Sequence, residues 1–185
     1  VLPSLEDAYR LEDSESAFYP FNEVEQDFKL FADTFPELPY WEVENEYDIQ
    51  LRKIGKDRVD IWGPYLEAAF HGVQNSETQT KLVMSGRAGI HLDFTRELLE
   101  SPYADYFSVV NYHYYTGTVP PEVARSNMNN GVDSGSEQLA YLDQLRLVNQ
   151  LAMKHGKEAW LTEGGYDVNY GPAVGVYNQA ILLPR

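Results

Sequence analysis

Residues 40–46 read Tyr-Trp-Glu-Val-Glu-Asn-Glu, a short aromatic stretch set off by Pro36 and Pro39. Aromatic and β-branched residues suit a pleated, half-buried surface, so the segment is predicted to be a strand. Upstream, Val24, Phe28, Phe31 and Phe35 recur at helical spacing, with Asn22 and Glu25 in capping-box register and Pro36 as the stop. Downstream, Val59, Trp62, Leu66, Phe70 and Val73 repeat that spacing, and Gly63-Pro64 is predicted to kink or restart the helix. Residues 81–85 form a second strand, Phe94, Leu98 and Leu99 mark a short helix, and 106–115 form a third strand. Residues 116–135 read as a long loop, closed by Ser134 and Glu137 in capping-box register. A long helix follows, lined by Leu139, Leu142, Leu145, Val148, Leu151 and Ala152, with Gly156 just past its end. A fourth strand at 158–162 and a helix from about Pro172 complete the pattern, and residues 1–21 read as irregular. Strands alternating with helices predict an α/β fold with a parallel sheet, either doubly wound or a closed barrel.

Composition narrows the function. The chain of 185 residues has 14 Lys plus Arg against 29 Asp plus Glu, a net charge of −15 and no cysteine. Disulfides, thiolate metal sites and cysteine nucleophiles are thereby excluded. The acidic excess opposes nucleic acid, whose binding depends on basic groups that displace phosphate counterions. No apolar run approaches a membrane span, so a globular single domain with no membrane partner is expected. The sequence begins at Val1 without a visible targeting segment, as if cut, and localisation stays open, with secretion or a periplasmic site compatible.

In parallel α/β folds reactive groups collect at the C-terminal ends of strands. Here the first strand ends in Asn45-Glu46, the third in His113 and Tyr115, and the fourth in Glu163 followed by Gly164-Gly165. Two carboxylates supplied by different strands suit glycosidic cleavage, one protonating the leaving oxygen while the other attacks or activates water. Asn45, His113 and Tyr115 are candidate donors around them.

These segments resemble, in order, three motifs of the clan GH-A retaining glycoside hydrolases, cellulase-like TIM barrels. Residues 40–46 look like the fourth-strand segment whose Asn-Glu pair carries the acid/base, His113-x-Tyr115 like the sixth-strand His-x-Tyr, and Trp160 to Gly165 like the seventh-strand nucleophile segment. The resemblance implies Glu46 as acid/base and Glu163 as nucleophile. It further implies Asn45 as ligand of the hydroxyl beside the reacting carbon, Tyr115 as hydrogen-bond partner of the nucleophile, and His113 lining the site. A carbohydrate is the implied partner, with no cofactor and no metal. The sequence departs from the pattern at Tyr47, where many relatives have Pro, and at Glu44, often aromatic or small. Residues 22–185 would cover strands four to seven of a (β/α)8 barrel, making the whole of 1–185 a partial catalytic domain whose missing remainder is a further expected partner. The alternative is a non-catalytic carbohydrate-binding barrel or an inactive fragment.

Several residues carry a second reading. Glu42, Glu44 and Glu46 alternate, so an ideal strand would aim all three at one face and could hold a divalent cation, whereas a bulge would let Asn45 and Glu46 share the cleft. Arg87 reads as a solvated loop cation, with reach to substrate as the alternative. Trp41 and Trp160 read as core, and Tyr112 and Tyr114 as packing on helices.

Overall fold

The computed structural model describes residues 20–53, 55, 57–115, 120–122 and 139–165. Helix α1, Phe21–Thr34, buries Val24, Phe28 and Ala32 along one stripe. Its cap differs from the expected one: Pro20 occupies the N-cap position, and its carbonyl receives the N–H groups of Glu23 and Val24. Asn22 thus lies inside the first turn and caps nothing, and the irregular segment cannot extend to residue 21.

Strand β1, Tyr40–Glu42, is shorter than the predicted stretch because Glu44 and Glu46 adopt φ of 68° and 48°, a left-handed conformation that strands cannot include. The three glutamates consequently do not share a strand face, which removes the cation reading of their alternation. Helix α2, Tyr47–Lys53, was not foreseen. Helix α3, Val59–Gln74, runs without restart through Pro64, whose missing N–H costs one bond in the second turn. It buries Trp62, Leu66, Ala69 and Val73 almost completely. Truncating Leu66 to alanine would cost roughly 2–5 kcal/mol at such a site.

Strands β2, Lys81–Val83, and β3, Arg87–Ala88, precede helix α4, Leu92–Leu99. Ser101-Pro102 then opens a 3-10 turn, Pro102–Tyr106, with the Ser101 hydroxyl accepting from the Tyr103 N–H. That turn takes Tyr106, the first residue of the predicted third strand, and β4 runs over Val109–Tyr114, buried throughout. Helix α5 spans Tyr141–Lys154 behind an Ala140 N-cap. It therefore starts later than expected: Leu139 lies outside it, its carbonyl accepting from Gln144 Nε2. Gly156 ends the helix as predicted, at φ 68°, with Gly156 N–H bonded to Met153 O and Lys157 N–H to Ala152 O. This is the paired Schellman closure that a left-handed glycine permits. Strand β5, Glu158–Gly164, exceeds the predicted 158–162 by two residues. The capping box at Ser134 and Glu137, the helix from Pro172 and residues 1–19 lie outside the described residues.

All strand pairs are parallel. β1 lies beside β2, with Glu42 opposite Val83, and the same register continues to a bridge between Asn45 and Gly86. β2 and β3 both lie along β4, at Val109 and at Tyr112–His113, so they are two segments of one interrupted strand line. β5 flanks β4 on its other side. The resulting order, β1, β2/β3, β4, β5, follows the chain and confirms the expected α/β alternation with a parallel sheet. Strands in a sheet are about 4.8 Å apart, yet Tyr40 of β1 and Trp160 of β5 bring their rings to 4.8 Å across the two strands between them. The sheet is therefore curled toward that face. On the opposite face Tyr112 joins the core, and Tyr114 stacks on Tyr141 of α5 at 3.9 Å. No helix among the described residues is long and apolar enough to cross a membrane.

Candidate active site

The curled sheet brings the ends of β1, β4 and β5 to one place. Strand alternation turns Asn111 and His113 of β4 to the inner face, where His113 is 1% exposed. Its Nδ1 lies 3.0 Å from Glu46 Oε1 and 3.6 Å from Glu163 Oε2. One ligand atom from each of Glu46, His113 and Glu163 lies within 4.8 Å of the others, so the two carboxylates share one cleft. Tyr115, just past β4, donates its hydroxyl to Glu163 Oε2 at 3.1 Å. Four of the five predicted site residues are thus brought together. Asn45 is adjacent in the chain and exposed, at the Gly86 bridge, but no hydrogen bond joins its side chain to the group among the described residues.

Local irregularities make this convergence possible. The left-handed turn at Glu44 and Glu46 swings Glu46 over the sheet end. On β5 the register slips between Tyr112 and His113, pairing them with Leu161 and Glu163 and leaving Thr162 unopposed. A bulge of this kind lets two successive side chains approach one neighbour. Thr162 Oγ1 accordingly sits 3.1 Å from His113 Nε2 while Glu163 reaches Nδ1. Thr162 in turn donates to Asn111 Oδ1 at 2.9 Å.

Glu42 is the carboxylate behind this group. Its Oε1 accepts the Gly86 N–H at 2.6 Å. Burial raises its pKa above the usual carboxylate value, opposed by the Gly86 bond, by His113 and by Asn111, while the charge of Glu163 adds to the rise. Burial also raises the Tyr115 phenol, and the bond to Glu163 with the nearby carboxylate charges pushes it further up. The neighbouring carboxylates thus keep Tyr115 a donor. Thr162, Asn111 and Gly86 were not singled out from sequence. Nothing in residue spacing announces a bulge, although Glu42 was visible as part of the alternating glutamates.

Arg87 contradicts both of its sequence readings. It is 2% exposed, gives two bonds to Asp57 at 3.1 and 2.7 Å and one to the Tyr47 hydroxyl at 2.5 Å. Its guanidinium lies 3.7 Å from the Phe94 ring centroid. Burial alone would lower its pKa, but Tyr47, Asp57 and Asp48 outweigh that and raise it. Beside it, fully buried Asp48 receives Arg52 and the Ala88 N–H. This network fastens α2 to β3 and so steadies the turn that carries Glu46. Trp41 packs on the core as expected, stacked on Phe31. Trp160 instead stays partly exposed beside Tyr40, its indole N–H given to Glu158.

Chemically, the cleft offers two carboxylates, an imidazole in contact with both, and a phenol on one of them. No protein-family model matches the sequence, and no curated protein matches it.

Proposed function

We propose that the chain belongs to a (β/α)8-barrel glycoside hydrolase of the retaining type and that the four strand lines are consecutive members of that barrel. The carrying observation is that one carboxylate oxygen of Glu46 and one of Glu163 lie within 4.8 Å of each other. Single carboxylate oxygens this close favour the retaining spacing, with carboxyl groups about 5–5.5 Å apart, over the roughly 6.5–9.5 Å that an inverting enzyme needs to admit a water.

In this reading Glu163 attacks the anomeric carbon of an oligo- or polysaccharide, forming a glycosyl ester, while Glu46 protonates the departing oxygen. Water then enters, Glu46 removes its proton, and the ester is cleaved with net retention. Tyr115, donating to Glu163 Oε2, fixes the nucleophile's rotamer and leaves the other oxygen for attack. No cofactor takes part.

Aryl glycosides of graded leaving-group acidity test the assignment in the full protein carrying this chain. Replacing Glu46 by alanine should lower kcat/KM for poor leaving groups by roughly 10²–10⁴-fold and spare kcat/KM for activated ones, whose first step needs no acid. Equal loss on both kinds would argue against Glu46 as the acid.

A second reading, carbohydrate binding without chemistry, draws on the openness of the cleft, where Tyr115 is 51% exposed. Calorimetry separates the two. Oligosaccharide binding without turnover, unchanged by Glu46→Ala, would favour the binding protein.

A further inference from the structure

Gly86 lies in the gap between β2 and β3, and three parts of the site meet on it. The register that pairs Glu42 with Val83 carries on to the bridge between Asn45 and Gly86, so a regular parallel ladder would offer the Gly86 N–H a backbone carbonyl of the β1 line. Glu44, at φ 68°, turns that line out of the extended conformation. The N–H goes instead to a side chain, Glu42 Oε1 at 2.6 Å, while the Gly86 carbonyl accepts the Glu46 N–H at 2.9 Å. The open side of the Gly86 Cα faces His113. A β-carbon there would stand 2.0 Å from Nε2 and 2.6 and 2.7 Å from the two ring carbons flanking it. One buried glycine therefore holds the main chain of Glu46 and seats the imidazole that lies 3.0 Å from the Glu46 carboxylate.

We propose that Glu42 is a positioning residue for the acid/base, acting through Gly86: its carboxylate pins the Gly86 N–H, and the pinned glycine fixes both the Glu46 main chain and the His113 ring. The purpose rests on the retaining-hydrolase reading. A side-chain acceptor suits this place because it need not follow the β1 backbone as it turns away at Glu44. A charged acceptor also makes a bond roughly twice as strong as a neutral one. Without it the Gly86 N–H would be buried and unpaired, a cost relieved by moving the glycine. Movement there shifts the Glu46 attachment and the His113 seat together, so the contact between the two side chains loosens and the leaving oxygen loses its proton donor. Glu163 is carried by β5 and bonded by Tyr115, so the nucleophile depends on neither Gly86 bond.

The test compares Glu42→Met, Glu42→Asp and Glu42→Gln in the full protein carrying this chain, by crystal structure and by kcat/KM on aryl glycosides with poor and with activated leaving groups. Methionine deletes the acceptor and aspartate shortens its reach by one methylene, whereas glutamine keeps an oxygen at the same reach. Glu42→Met and Glu42→Asp are expected to displace Gly86 and lengthen the separation of His113 Nδ1 from Glu46. They should lower kcat/KM for poor leaving groups roughly 10–100-fold and leave activated ones unchanged. Glu42→Gln should keep the wild-type geometry and stay within about threefold of the wild-type values. A role in stability alone would cut both leaving-group classes equally, and that result overturns the proposal. So would Gly86 and His113 unmoved in Glu42→Met, or Glu42→Gln as impaired as Glu42→Met. Should Glu42→Met fail to fold, Glu42→Asp decides on the same readings. Should neither fold, the wild-type crystal structure decides: Gly86 N–H on Glu42 with His113 against Gly86 upholds the proposal, and a Gly86 N–H bonded elsewhere is fatal. The crystallographic distances need no turnover, so an inactive wild type would end the hydrolase reading while the positioning claim is still judged on them.

Discussion

A β-carbon on Gly86 would stand 2.0 Å from Nε2 of His113, so the backbone of the β2/β3 strand line is the wall against which the imidazole is seated. His113 is buried and held at both ring nitrogens, leaving it no room to yield. Gly86→Ala is expected to displace the ring from Glu46 and Thr162 while leaving the helices intact. Activity on unactivated substrates should fall roughly 10²-fold or more, the scale of lost acid–base assistance, with an unchanged far-UV circular dichroism spectrum. An active variant would show that His113 is dispensable.

Tyr115 offers a milder test. Its hydroxyl donates to Glu163 Oε2 at 3.1 Å, and a hydrogen bond to a charged group is worth about 1.5–3 kcal/mol when shielded. Both groups are well exposed here, so Tyr115→Phe should lower kcat roughly tenfold, near the bottom of that range. Steady-state kinetics on one aryl glycoside suffices, and an unaltered kcat would remove Tyr115 from the site.

Glu44 couples stability to pH. Burial raises its pKa above the ordinary 4.5, against the backbone N–H of Asn45. Between the unfolded and the raised folded value the native state binds more protons than the unfolded chain, so stability falls as pH rises through that window. Glu44→Gln removes this loss. The variant should melt with the parent at about pH 3, below the window, and above it near neutrality. Thermal unfolding at the two pH values checks this, and a parent that is the more stable at neutrality would reverse the sign.

Arg87 should matter for folding rather than for chemistry. Removing one partner of a buried ion pair leaves the other uncompensated and costs roughly 3–5 kcal/mol. Arg87→Met would strand Asp57 and release the Tyr47 hydroxyl, both bonded to it. A loss of that size in denaturant unfolding is expected, and a loss below about 1 kcal/mol, the level of a surface pair, would contradict the structural role.

The parts of this molecule legible in the sequence are those governed by periodicity and punctuation. The helical stripe of Val24 and Phe28, the β-branched and aromatic run of β4, and Gly156 as helix stop each follow from one local rule, and together they gave the parallel α/β order. The site was legible as strand-end residues, and Glu46, His113, Tyr115 and Glu163 do converge. What escaped was set by non-local geometry. The bulge at Thr162 exists because β5 slips against β4, and the left-handed turn at Glu44 and Glu46 lies beside the Asp48 and Arg87 network. Arg87 looked like a loop cation because its partners, Tyr47 and Asp57, are distant in sequence.

The shared cleft of Glu46 and Glu163 is best probed by covalent trapping. A panel of 2-deoxy-2-fluoro glycosyl fluorides, covering gluco, xylo, manno and galacto configurations, would be incubated with the full protein and the adduct mapped by peptide mass spectrometry. The expected result is one glycosyl adduct on the peptide containing Glu163, absent from Glu163→Gln. An adduct on another carboxylate, or one that persists in Glu163→Gln, would contradict the assignment of the nucleophile.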